Sequence, residues 1–156
     1  MGTIVAAAAA SHSPGIAIGR DEPEPEKAER WYAGMDRIAT AFDKAAPDVL
    51  VVITSEHYAN FYLDNVPAIC MGIGTAYRGP AEIWLGPEAP VQGDRATGKA
   101  LLRSVLDQGF DPAFSEDLLL DHGTWVPLQL VNREMAVPIV PVILNNIWPQ
   151  LAPLIK

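Results

Sequence analysis

The residues of this sequence best suited to holding a metal ion are its three histidines, His12, His57 and His122. Each follows a segment that we predict to be a strand or extended chain, so each is expected in a loop. In an open α/β sheet, the loops beyond the carboxyl ends of the strands form the crevice where ligands bind. One loop histidine is usually just solvated, but three in equivalent positions predict a shared site. If their strands are parallel neighbours, His12 and His57 would meet at one ion.

Two classes of metal chemistry fit such a site. Two neutral imidazoles and one carboxylate on one face of Fe(II) leave positions open for dioxygen and an organic substrate. The same imidazoles would also hold zinc, which activates water for hydrolysis. Glu56 adjoins His57, but adjacent residues on an extended chain point in opposite directions. Glu82 and Glu116 lie in predicted loops, where we expect solvated carboxylates.

The segments around the histidines predict a single α/β domain with a mostly parallel central sheet flanked by helices. Residues 3–10 are a short apolar run that predicts a buried strand. Residues 27–46 carry apolar side chains at spacings of three and four, which is one face of a helix. Residues 48–54 form a β-branched run, typical of a strand covered on both faces. Strand, helix and strand predict a right-handed βαβ unit.

The rest of the chain predicts more elements of the same kind. They are strands over 67–74 and 137–144, a Pro/Gly-rich loop over 75–92, a helix over 94–108 followed by a left-handed Gly109, extended chain over 112–120, and a short helix over 124–132 with Pro127 in its first turn. The sequence stops soon after a core-type strand. We therefore expect the domain to be truncated at its C-terminus.

The composition excludes several classes of partner. The net charge is −8 with only 11 lysines and arginines, whereas binding nucleic acid or an anionic membrane surface needs a basic patch. The single cysteine, Cys70, excludes an intrachain disulfide and is expected to be buried and inert. No basic segment precedes the apolar start and no apolar run is long enough to span a membrane, so the cytoplasm is the expected location.

The segments around the histidines also resemble a known family. They are Ser-His-Ser-Pro-Gly at 11–15, Thr-Ser-Glu-His-Tyr-Ala-Asn-Phe at 54–61 and Asp-His-Gly-Thr-Trp-Val-Pro-Leu at 121–128. In order and spacing they resemble the class III extradiol ring-cleavage dioxygenases and look like the catalytic subunit of protocatechuate 4,5-dioxygenase. The resemblance covers nearly the whole chain. It implies Fe(II)-dependent cleavage of a catechol-type ring by dioxygen, in the catabolism of aromatic compounds.

The resemblance also implies roles for individual residues. His12 and His57 match the family's two histidine ligands to iron. His122 would stand beside the substrate as a hydrogen-bonding, charge-stabilising group. Asp121 would either orient the ring of His122 or cap the helix that follows it. The expected substrate-binding residues are Ser13, Tyr58, Phe61, Asp121 and Thr124.

This sequence departs from the family pattern in two respects. Glu56, next to His57, stands where relatives often have Asp or Asn. The family's carboxylate ligand and acid–base histidine lie further along the chain, so residues 1–156 are expected to be the N-terminal part of a catalytic domain that alone binds iron weakly and turns over little. The implied partners are a catechol-type substrate, dioxygen, further copies of the chain and, as in some relatives, a small helical subunit. Two alternatives stay open: a zinc-dependent hydrolase on a similar scaffold, and a non-catalytic remnant or partner subunit.

Overall fold

A computed structural model describes residues 2–12 and 25–145 of the chain. Within these ranges the chain forms three α-helices, six strands and a short 3-10 helix. In chain order they are α1 (Pro25–Ala45), β1 (Leu50–Ser55), β2 (Ile69–Gly72), β3 (Ala76–Gly79), the 3-10 helix (Ile83–Leu85), β4 (Ala89–Gln92), α2 (Arg95–Asp107), β5 (Ala113–Ser115), α3 (His122–Val131) and β6 (Ile139–Leu144). This is the predicted α/β class.

Four of the strands form the central sheet, in the order β1-β6-β2-β5. β1 pairs with β6 and β2 pairs with β5 in parallel, whereas β2 and β6 are antiparallel. The sheet is therefore mostly parallel, as predicted. β3 and β4 form a separate antiparallel pair.

The helices form where their sequences predict. Asp94 is the N-cap of α2, and its carboxylate accepts a hydrogen bond from the Thr97 N–H at 2.7 Å. Gly109 follows the helix in the left-handed conformation with φ of +85°. α1 buries Met35 and Ala39 on one side and packs against α3. Within residues 2–12 and 25–145, no helix has both the length and the apolar character needed to cross a membrane.

The core lies between one face of the sheet, the β3–β4 pair and α3. Its buried side chains are Leu50, Cys70, Tyr77, Val91, Leu118, Leu120, Trp125, Leu128, Ile139 and Ile143. Burial, with a smaller contribution from the charge of Glu56, raises the pKa of Cys70 to about 11. The thiol is therefore buried and protonated at neutral pH, which agrees with the expectation that it is inert.

The opposite face of the sheet is only partly covered. The strand register places Ile53, Val142, Met71 and Phe114 in one row, and paired residues of neighbouring strands share a face. Met71 is buried, but Ile53 and Phe114, at the two ends of the row, are 65% and 61% exposed. The outer strands therefore present apolar side chains to solvent.

Two predicted elements are wrong. Residues 2–12 form no strand, and a cavity of about 560 Å³ is lined by residues 6–11 and α1. Alanine has a low strand propensity and little side chain to bury, which disfavours a strand in this segment. The parallel neighbour of β1 is β6 instead, so the predicted βαβ unit does not form within the described residues. The predicted loop over 75–92 contains β3, the 3-10 helix and β4. Each of these strands is only four residues long, and Pro90 interrupts β4, so the alternation of apolar and polar side chains was hidden.

Candidate metal centre

The three histidines converge on one site. Ring centroids lie 5.2 Å apart for His12 and His57, 5.9 Å for His12 and His122, and 4.1 Å for His57 and His122, whose rings are stacked. One nitrogen from each ring lies within 4.8 Å of the other two. Metal–nitrogen bonds of about 2.1 Å place ligand nitrogens roughly 3–4 Å apart, so small side-chain movements would bring two of them onto one ion. The predicted convergence of His12 and His57 is confirmed.

Asp121 holds His57 in place. Its Oδ2 accepts a hydrogen bond from the His57 backbone N–H at 2.7 Å and lies 3.0 Å from His57 Nδ1. Asp121 is 3% exposed, whereas the side chain of His57 is 35% exposed, so a buried carboxylate holds a ring that solvent can reach. A carboxylate on one ring nitrogen leaves Nε2 available for a metal, which is the usual outer-shell arrangement around a metal-bound histidine.

Asp121 is also the N-cap of α3. Its other oxygen, Oδ1, accepts from the Gly123 N–H at 2.9 Å, so the carboxylate caps the helix at the same time as it holds His57. Of the two roles predicted for Asp121, capping is confirmed. Orientation of His122 is wrong, because the carboxylate contacts His57 instead.

The Asp-His-Gly order follows from close packing of α3 on β1. A Cβ atom on Gly123 would lie 2.8 Å from the Ser55 carbonyl oxygen and 2.9 Å from Thr54 Oγ1, so only glycine fits there. Thr54 Oγ1 donates to the Gly123 carbonyl at 2.9 Å. That carbonyl would otherwise lack a partner, because the residue four positions later is Pro127, which has no N–H. Since α3 begins at His122, Pro127 lies beyond the first turn, and its predicted position is wrong.

The loop that carries His57 is organised by Glu56. This carboxylate is 2% exposed and accepts hydrogen bonds from the backbone N–H groups of Tyr58 at 3.1 Å, Asn60, and Phe61 at 3.2 Å. Tyr58 has φ of +62°, a conformation that non-glycine residues rarely adopt. Glu56 therefore satisfies the donors of a tight turn and faces away from the histidine site, as the sequence predicted.

Asn60 fixes this loop to the segment that leads into α3. Its side-chain amide donates to the Leu119 carbonyl at 2.9 Å and accepts from the Leu119 N–H at 2.8 Å. The pairing imitates one step of a strand ladder. It ties the loop of His57 to the segment two residues before Asp121, and so sets the distance between His57 and His122.

His122 has a carboxylate partner of its own. Glu82 Oε1 accepts from the His122 backbone N–H at 3.2 Å and lies 2.5 Å from His122 Nδ1. The ring of Trp84 lies 6.4 Å from that of His122 and is half exposed. Sequence reasoning missed both residues: it treated Glu82 as a solvated carboxylate, which is wrong. No signal in the sequence connects residues 40 positions apart.

The environment of His12 favours its neutral, ligand form. Partial burial, followed by the neighbouring imidazoles of His57 and His122, lowers the pKa of His12, with Asp121 acting in the opposite direction. Metal binding requires neutral histidine, so crowding the imidazoles together prepares His12 to accept an ion.

The predicted substrate-binding residues are distributed unevenly around the site. Tyr58 follows His57 and is 43% exposed, whereas Phe61 packs against the hydrophobic core. Thr124 is buried in the first turn of α3, where its N–H donates to the Asp121 carbonyl. Ser13 lies outside the described residues. Among the members of this set that the structure describes, Tyr58 is the exposed one, and it adjoins His57 in the sequence.

Within the described ranges, no carboxylate joins the histidine cluster as a ligand. Glu56 accepts hydrogen bonds from the turn that follows it, Glu82 contacts His122, and Glu116 forms an exposed ion pair with Arg95. The carboxylate of Asp121 contacts His57 Nδ1. The residues described here therefore supply imidazoles and their supporting carboxylates but no third, acidic ligand.

The double role of Asp121 predicts that Asp121→Asn lowers metal affinity by about 10–100-fold, the usual effect of losing an outer-shell partner. Asparagine has one acceptor oxygen, so it cannot accept from both Gly123 and His57. Anaerobic Fe(II) titration of the 156-residue chain measures the change. Glu116→Gln, which also removes one negative charge, is the matched control and should leave the affinity unchanged. Equal affinities for Asp121→Asn and the wild-type chain would contradict this role.

The sequence that forms this fold and site matches the model of a known family of enzymes. Residues 6–153 match the family model described as the catalytic LigB subunit of aromatic ring-opening dioxygenase. This match covers nearly the whole sequence, and the chain belongs to that family.

Individual relatives carry a more particular name. The chain is 38% identical to a 2,3-dihydroxyphenylpropionate/2,3-dihydroxicinnamic acid 1,2-dioxygenase from Rhodococcus sp, over 96% of this chain and 46% of the relative. Proteins of the same name are 34% identical in Rhodococcus jostii, with the same coverage, and 31% identical in Klebsiella pneumoniae, over 88% of this chain and 42% of the relative. The chain thus spans a little under half the length of these relatives.

Proposed function

We propose that this chain is the N-terminal, metal-holding part of an Fe(II)-dependent extradiol dioxygenase that opens a catechol-type ring. His12 and His57 are the proposed iron ligands, and His122 is the proposed catalytic group beside the substrate. The observation that carries the proposal is the convergence of these three imidazoles in a chain of the LigB family. The supporting carboxylates add to it, because Asp121 holds His57 in the manner of a metal-bound histidine.

The donor set fits iron in part. Two neutral imidazoles are two of the three ligands of a 2-His-1-carboxylate site. The family resemblance implies that the carboxylate ligand and an acid–base histidine lie outside these 156 residues, so the third position is left to the rest of the protein. When bound, Fe(II) would bind the catechol oxygens and dioxygen and would lower the pKa of the catechol hydroxyls.

The described residues divide the remaining work. His12 and His57 supply the ligand nitrogens, and Asp121 fixes the ring of His57. His122, with Nδ1 engaged by Glu82, keeps Nε2 available to accept a hydrogen bond or a proton from a hydroxyl of the substrate and, once protonated there, to stabilise negative charge that develops on an oxygen. The proposed walls for the aromatic ring are Trp84, whose ring lies 6.4 Å from that of His122, and Tyr58, which follows His57 in the chain and is exposed.

The proposed substrate class is a catechol that carries a short acidic side chain. The names of the relatives support this class, since 2,3-dihydroxyphenylpropionate and 2,3-dihydroxycinnamate are both of this kind. Protocatechuate, which carries its carboxylate directly on the ring, is the competing candidate suggested by the sequence resemblance.

The test is oxygen uptake by the gene product that carries this sequence, reconstituted anaerobically with Fe(II) and offered 2,3-dihydroxyphenylpropionate. We expect one dioxygen consumed for each ring opened, slower turnover of protocatechuate, and no uptake when zinc replaces iron. Zinc-dependent ester or amide hydrolysis without oxygen uptake would overturn the proposal in favour of a hydrolase. No uptake with any catechol, despite stoichiometric iron, would favour a non-catalytic protein.

A further inference from the structure

The contact between Glu82 and His122 repeats the contact between Asp121 and His57. In each pair, a single carboxylate oxygen meets both the backbone N–H and the Nδ1 atom of the same histidine. The distances are 3.2 and 2.5 Å for Glu82 with His122, and 2.7 and 3.0 Å for Asp121 with His57. The two carboxylates come from different loops, so each histidine has an independent partner.

The Glu82 side chain has no other polar partner among the described residues. It precedes the 3-10 helix Ile83–Leu85 but makes no capping hydrogen bond to it. Its Oε2 atom is buried without a hydrogen bond, and the side chain is 20% exposed. A buried carboxylate oxygen without a partner is costly, so a residue kept only for stability would be better replaced by an apolar one. The contact between Glu82 and His122 therefore calls for a functional explanation.

A carboxylate oxygen is an acceptor, so the neutral ring of His122 must carry its hydrogen on Nδ1 to pair with Glu82. The Nε2 atom is then the unprotonated nitrogen of the neutral ring, and the ring cannot flip without losing the contact. His122 is only 12% exposed, so water competes weakly for Nδ1. The geometry thus selects one tautomer and one ring orientation.

We propose that Glu82 is a positioning residue that fixes His122 in the Nδ1–H tautomer, with Nε2 free for the reacting molecule, while Asp121 does the same for His57. The two carboxylates therefore control different properties: Asp121 the affinity for the metal, and Glu82 the rate of the chemical step. The tautomer assignment stands on the contacts alone, whereas its effect on the rate rests on the proposed function.

The first test reads the tautomer directly in the metal-free 156-residue chain. The chain has only three histidines, so ring-nitrogen NMR spectra at a pH where all are neutral resolve each tautomer. We expect Nδ1–H at His122 in the wild-type chain and a tautomer mixture in Glu82→Leu, which has no acceptor. Glu82→Gln should keep Nδ1–H, because its side-chain oxygen can replace Oε1 and its amide nitrogen takes the position of the unpartnered Oε2. His57 should keep its tautomer in both variants.

The second test separates rate from metal affinity. In the active gene product, Glu82→Leu should lower kcat by about 10–100-fold, the range for outer-shell losses, with KM for the catechol and affinity for Fe(II) unchanged. Asp121→Asn should show the reverse order of effects, with the larger loss in metal affinity. Amide spectra of the variants confirm that each is folded.

The outcomes distinguish this inference from the proposed function. A His122 that stays in the Nδ1–H form in Glu82→Leu, or that is already an Nε2–H tautomer in the wild-type chain, overturns the role of Glu82. An Nδ1–H signal that depends on Glu82 in a protein without oxygen uptake supports the positioning role and counts against the dioxygenase. A loss of iron affinity in Glu82→Leu equal to that in Asp121→Asn overturns the division of labour.

Discussion

Removal of either His12 or His57 is expected to lower the affinity for Fe(II) by more than about 100-fold, because loss of an outer-shell partner alone costs roughly 10–100-fold. His122→Ala should retain the affinity of the wild-type chain, since His122 is proposed to act on the substrate. All three substitutions remove one imidazole from the same cluster, so the comparison is matched in charge and location.

Anaerobic calorimetry with Fe(II) measures the three affinities, and circular dichroism shows whether each variant is folded. An equal loss for His122→Ala would mean that the ion is held by three histidines. That result would contradict the proposed division between two ligands and one catalytic group. Unchanged affinity in His12→Ala would remove the N-terminal segment from the metal site altogether.

Replacing Glu56 is expected to have the largest effect on stability. Glu56→Ala leaves three backbone N–H groups of the turn without their charged acceptor, and losing one partner of a buried charged network costs about 3–5 kcal/mol. Glu56→Gln keeps one acceptor oxygen but turns an amide nitrogen toward another N–H group. Its cost should be about 1–3 kcal/mol, the range for one unsatisfied buried group.

Urea unfolding measures both losses, and Glu116→Ala is the control at an exposed carboxylate, where a change within about 0.5 kcal/mol is expected. Because Glu56 precedes His57, Glu56→Ala should also weaken Fe(II) binding in whatever fraction remains folded. A Glu56→Ala chain as stable as Glu116→Ala would show that the turn does not depend on this carboxylate.

The parts of the site that sequence reasoning predicted are those governed by local pattern. The apolar run of β1 predicts a strand that ends near Ser55, and this places His57 in a loop at the sheet edge. Asp121 before a helical segment predicts a cap, and Asp121 is one. These features depend on neighbouring residues, whose spacing is visible in the chain.

The parts that could not be predicted depend on contacts between distant segments. Glu82 reaches His122 across 40 residues, and Asp121 reaches His57 across 64. The β3–β4 pair was also missed, because its inward side chains are few, chiefly Tyr77 and Val91, and proline interrupts β4. The alanines of residues 6–10 led to a strand being predicted where none forms. They are apolar enough to suggest a strand, yet too small to bury much surface.

The long separation between each histidine and its carboxylate has a thermodynamic consequence. An unfolded chain cannot bring residues 57 and 121, or 82 and 122, together, so a cation selects the folded molecules over the unfolded ones. Above the dissociation constant, each tenfold increase in the concentration of free ion then raises the free energy of unfolding by about 1.4 kcal/mol. For the proposed iron site, iron supply and protein lifetime would thereby be coupled, and the metal-free protein would be the first to unfold and be degraded.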